Sequence, residues 1–194
     1  MRFPLSPALL LPAALLAGCD GNAGKSNVND TVLADNGLAT EPNGSIPVEN
    51  ETAVVITGQA FANTIAASDA FEIAAAKLAE TKATVQDLKD FAAMMIRDHT
   101  ASTDKLKAAA AVANPAITPD PTYTDEQKAN LQTLKDATGA EFDTAYKSQQ
   151  VTAHQSALAA LQAYGASGEV QSLREFAAAV TPTVQEHFDR IKRL

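Results

Sequence analysis

A chain of 194 residues has room for one ordinary domain with appendages, and it does not suggest two. Its 46% hydrophobic content leans on alanine, aromatics make up 5% and tryptophan is absent, which suits close-packed helices and argues against a β-sandwich core. The formal net charge of −8, with no basic run beyond Arg190-Ile191-Lys192-Arg193, excludes an electrostatic footprint for nucleic acid.

The chain opens with MRFPLSPALLLPAALLAGC, in which a basic Arg2 precedes an apolar stretch from Leu9 to Leu16 and then small residues. That order is expected of an export signal over residues 1–18, too short to remain as a membrane-spanning helix. Leu16-Ala17-Gly18-Cys19 resembles the bacterial lipobox, which implies cleavage before Cys19 and acylation of its thiol. Cys19 is the single cysteine of the chain, so no intramolecular disulfide can form. Several acyl chains on one residue hold a protein on a membrane where a single chain binds only marginally. The expected location is therefore the cell envelope, lipid-anchored, with the domain on the periplasmic side. Residues 19–56 are rich in Gly, Asn, Asp and Pro with scattered single aliphatics, and are expected to form a flexible acidic tether.

Residues 57–194 read as the folded domain. Helix one is expected over Gly58 to Thr81 and turns at Lys82-Ala83-Thr84. Helix two then runs to about Ala113, with Thr84 and Asp87 in a weak capping arrangement. Asn114-Pro115 and Thr118-Pro119-Asp120-Pro121 end it. A short helix starts at the capping box Thr124-Asp125-Glu126-Gln127 and stops near Thr138-Gly139. A long helix follows from Ala140 to Tyr164, Gly165 to Gly168 turns the chain, and the last helix reaches the C-terminus with a bend expected at Pro182. Four long helices with a short one between the pairs make an all-α, ferritin-like four-helix bundle with a crossover.

The stripes that face the core carry polar residues in step with apolar ones. Glu72 is in step with Phe61, Ile65, Ser68, Ala75 and Ala79. His99 is in step with Leu88, Ala92, Met95, Ser102 and Leu106; His154 with Gln150, Ala157 and Leu161; His187 with Leu173, Ala177, Val180, Val184 and Ile191. The run Glu72-Ile73, Leu78-Ala79, Phe91-Ala92, Met95, Asp98-His99, Leu106, Phe142-Asp143, Tyr146, His154-Gln155, Leu173, Phe176-Ala177, Pro182 and His187 resembles domain-of-unknown-function family 4142. The resemblance covers about Phe61 to Leu194. It implies a ferritin-like bundle in an exported protein and supplies no settled biochemical function; the family's usual leucine before the last-helix proline is Thr181 here.

Imidazole and carboxylate are ligands for transition metals, and bundle cores are where such sites are built. The di-iron pattern asks for Glu-x-x-His on two helices. Ile96 and Val184 stand three residues before His99 and His187, so a carboxylate-bridged pair of metals is not expected. At 1.5 Å per residue, a crossover that returns the chain to the Ala83 end sets Glu72, His99 and His154 at about one level and leaves His187 near the top beside Asp143 and Tyr146. Plain up-and-down connections would instead bring His187 to His99 and His154. The crossover is preferred, because some 25 residues separate the second and third long helices.

Two roles follow for the inward cluster. It can be a buried hydrogen-bonded network that fixes helix register, with Asp98 a surface charge. Alternatively Glu72, His99 and His154 can hold a single transition-metal ion. No nucleophile stands in a triad and no phosphate-binding glycine loop is present. The expected function is a non-enzymatic, envelope-anchored binding or structural module of unassigned protein partner; the alternative is a periplasmic metal-binding or redox-protective bundle.

Overall fold

The computed structural model describes residues 56–194; the expected signal, Cys19 and all of the tether but Ile56 lie outside the described residues. Five helices follow one another: α1 (Gly58–Lys82), α2 (Gln86–Ala111), α3 (Asp125–Asp136), α4 (Gly139–Ser167) and α5 (Gln171–Arg193). Among the described residues there is no strand, and no helix is long and apolar enough to cross a membrane.

α1 packs on α2 and α4, and α5 on α4 and α2. At one end, called lower, the Gly58 N–H donates to Glu169, Ser172 donates to the carbonyl of Ala109, and Phe61 stacks on Tyr164 with ring centroids 4.0 Å apart. At the upper end Lys82 donates to the carbonyl of Leu134, and the Thr84 N–H and hydroxyl donate to Asp143. Helix α2 therefore ends low while α4 starts high, and the segment with α3 carries the chain back up. Each long helix is antiparallel to both neighbours, the connectivity of ferritin-like bundles with one crossover.

Local chemistry explains most of the element ends. Thr57 caps α1 by accepting from the Ala60 N–H, and Thr124 and Gln127 form the expected capping box on α3. The expected cap on α2 is not made: Val85 holds the N-cap position without a side-chain bond, because Thr84 is turned to Asp143 on α4. α4 continues through Gly165 and stops at Gly168, whose N–H donates to the carbonyl of Tyr164. A Cβ at Gly168 would sit 2.4 Å from the Tyr164 ring, so a bare backbone is required there. α5 runs through Pro182 as one helix.

The core divides in two. The lower apolar cluster includes Phe61, Ile65, Leu106, Leu158, Tyr164, Leu173 and Val184. The upper includes Phe71, Phe91, Met95, Leu131, Phe142, Tyr146 and Ile191. Between them every long helix changes from apolar to polar, and Asp69, Glu72, His99, Gln150, His154 and His187 form one buried layer. Burying such groups is costly unless each finds a partner, so this layer is where the chemistry is concentrated.

Candidate metal centre

Three helices each deliver one imidazole to the layer: α2 supplies His99, α4 His154 and α5 His187, exposed by 4%, 1% and 2%. Their ring centroids are 5.6 to 5.8 Å apart in all three pairings. One nitrogen from each ring lies within 4.8 Å of the other two.

The second nitrogen of each ring is anchored elsewhere. His99 Nδ1 bonds Asp69 Oδ1 at 2.8 Å, His154 Nδ1 the carbonyl of Gln150 at 2.8 Å, and His187 Nε2 Asp98 Oδ2 at 2.9 Å. A carbonyl or an ionised carboxylate only accepts, so each anchored nitrogen carries the hydrogen. In a neutral ring the other nitrogen then presents a lone pair. Those nitrogens, Nε2 of His99, Nε2 of His154 and Nδ1 of His187, are buried with no hydrogen-bond partner. When all three rings are neutral, three buried lone pairs stand in one layer without partners, an arrangement that a cation between the rings would satisfy. Carboxylate and carbonyl anchors behind metal-binding histidines are the usual way tautomer and ring orientation are fixed.

Spacing and access both fit an ion. Nitrogens about 2.1 Å from a tetrahedral ion stand about 3.4 Å from each other, so the rings need to close by little more than 1 Å. Between α2 and α5 a cavity of about 30 Å³ is bordered by Asp98, His99, Ser102, Lys105, Thr183 and His187. It has room for about one water-sized species and opens on the two histidines.

The structure places Glu72, His99 and His154, the trio expected from the sequence, in the same buried layer: Glu72 Oε1 is 3.9 Å from His154 Nδ1, Gln150 donates to Oε2, and the His99 and His154 ring centroids are 5.8 Å apart. His187 is not with Asp143 and Tyr146. Ser172 beside Ala109 and Arg190 beside Met94 set the register of α5 on α2, which brings residue 187 level with Asp98 and ends α5 before it reaches the start of α2. Asp143 instead receives the Thr84 turn, and Tyr146 packs against Phe91 and Phe142. Asp98 is not a free surface charge, because it joins Arg97 to His187. Asp69 was missed. It lies four residues after Ile65 and three before Glu72, on the same α1 face, but the stripe drawn through Ser68 passed it by.

Residues 43–194 match the family described as "Domain of unknown function (DUF4142)". The chain belongs to that family. Two solved structures share the fold: CopM in the Cu(I)-bound form, at TM-score 0.58 and 20% identity over 71% of this chain and 94% of that one, and CopM in the Cu(II)-bound form, at 0.61 and 20% over 72% and 95%. No curated protein matches the chain.

Electrostatics divide the polar layer of this DUF4142 domain. Burial pushes the pKa of His154 down to about 3, with the nearby His99 adding to the effect. Burial likewise takes His187 down to about 4, against the opposing bond to Asp98. Both rings are neutral at pH 7. For His99 burial also favours the neutral form, but the Asp69 bond and the charge of Glu72 outweigh it and hold the pKa above the ordinary histidine value. Burial raises Glu72 to about 7, against the charge of His99 and the Gln150 bond.

Proposed function

We propose that this protein is an envelope metal-binding bundle in which His99, His154 and His187 hold one first-row transition-metal ion, copper first among them. The observation that carries the reading is the convergence of three buried, unpartnered ring nitrogens from three helices, each ring locked from behind by a different acceptor. Imidazole suits copper and zinc, and in a nitrogen site of given geometry divalent copper binds most tightly of the first-row series. The solved structures of CopM with Cu(I) and Cu(II) lend the choice of copper support through a shared fold.

This assignment replaces Glu72 with His187 in the expected ligand trio. Glu72 faces the Nδ1 side of His154, opposite the lone pair, and its carboxylate is engaged by Gln150. Binding weakens as pH falls, because a proton on His99 competes for the nitrogen that a metal would take. The test is elemental analysis after copper loading and dialysis. The parent should retain about one copper per chain and His154→Leu much less than one. Equal retention by the two would refute the site.

The reading also includes anchorage through Cys19, which follows from the residues before it. Cys19→Ala should lose fatty-acid labelling and appear in the soluble envelope fraction; a variant still labelled and sedimenting with membranes would rule the anchor out.

A further inference from the structure

We infer that the two buried carboxylates α1 sets behind the histidines make this centre selective for divalent over monovalent ions, with Asp69 the residue that determines the preference. The inference rests on the metal-binding reading above and adds the charge class of the ion. Asp69 is 3% exposed, and its bonds are to His99 Nδ1 at 2.8 Å and Thr103 Oγ1 at 3.3 Å. Among the described residues no lysine or arginine pairs with it. Glu72, one turn further along α1, is 2% exposed and likewise lacks a lysine or arginine partner. Imidazoles that hold a metal are neutral, so the negative charge around a bound ion comes from the carboxylates beside them.

Asp98 provides an internal contrast. It also accepts from a ligand histidine, but Arg97 holds its two oxygens at 2.6 and 2.9 Å and its side chain is 19% exposed. Its charge is already balanced on the protein and screened by solvent. Asp69 has neither relief. Removing one unit of charge beside a site costs a divalent ion twice the interaction it costs a monovalent one. In affinity the divalent loss is then the square of the monovalent loss. A substitution that merely loosened His99 would weaken both ions by the same factor.

Asp69→Asn separates the two cases, because the amide oxygen still accepts from His99 Nδ1 while the charge is gone. Zn(II) and Ag(I), neither of which changes oxidation state on binding, would be titrated into the full-length chain at pH 8. Parent, Asp69→Asn and Asp98→Asn would be compared. The expected result is a loss of about 100-fold for Zn(II) and about 10-fold for Ag(I) in Asp69→Asn, within the range seen when histidine-anchoring groups are removed, and a smaller loss for both ions in Asp98→Asn. Should Asp69→Asn not fold, Glu72→Gln removes the other buried charge, keeps an acceptor for Gln150 and should show the same pattern. Equal losses for the two ions, or none, would overturn the assignment while leaving the site standing. A parent that binds neither ion would overturn the site and this assignment together.

Discussion

Copper at about a hundred times its dissociation constant should raise the melting temperature of the metal-free protein by about 10 °C and leave His154→Leu unmoved. A ligand that binds only the native state at that concentration adds about 2.7 kcal/mol of stability, and a domain of this size gains about 3 to 4 °C per kcal/mol. The three nitrogens come from α2, α4 and α5, and that dependence makes the test specific. In the unfolded chain the histidines are separated by 55 and 33 residues, too far to form one site, so copper held there gains little. His154→Leu removes one ligand from the centre of the bundle and substitutes an apolar side chain of similar bulk, so the fold should persist. A parent whose melting ignores copper would end the proposal. So would a shift of equal size in His154→Leu, which would place the copper elsewhere.

A purely structural network makes a weaker account of the same residues. A network held by hydrogen bonds alone would pair both nitrogens of each ring, whereas here one nitrogen of each ring is anchored and the other is buried without a hydrogen-bond partner. The anchors do contribute register. Asp69 ties α1 to α2, and Asp98 ties α2 to α5. They also aim the lone pairs inward, so in this layer specifying the bundle and building the site are one task.

The fold was legible because its signals are local. Apolar spacing marks each long helix, the Thr124–Gln127 box starts α3, the prolines after Asn114 close α2, and the length of the intervening segment points to a crossover. The inward positions of Glu72, His99, His154 and His187 were legible for the same reason, since periodicity reports which face a residue occupies. Height was not. Nothing in the sequence of α5 says where it stops against α2; that depends on ridges meeting grooves and on bonds such as Ser172 to Ala109. His187 was therefore placed one layer too high. Asp69 and Asp98 were hidden differently. Each is one residue off the stripe as drawn, and a carboxylate beside a helix face reads as solvated until a partner on another helix is known.

Acidification provides the last expected result. His154 titrates near 6.5 when unfolded and at about 3 in the native protein, so below pH 6.5 the unfolded chain binds a proton that the native state refuses. The sign follows: stability is present in full above pH 6.5 and is lost as pH falls from there toward 3. Between pH 7 and 4 the loss amounts to about 3 kcal/mol, a sizeable part of the 5 to 15 kcal/mol typical of a domain. His187, depressed to about 4, acts in the same direction. Glu72 opposes them, because its native pKa of about 7 lies above the ordinary 4.5 and its burial costs stability as pH rises through that window. The metal-free parent is thus expected to be most stable in mildly acidic solution, and its own curve mixes these opposing effects. Comparison with His154→Leu isolates one of them. Denaturant unfolding of both proteins at pH 7 and at pH 4 should show the variant gaining about 3 kcal/mol on the parent between the two. A difference that does not change with pH would mean that His154 accepts a proton in the native state as readily as in water, and a ring so easily protonated is not held as a neutral ligand.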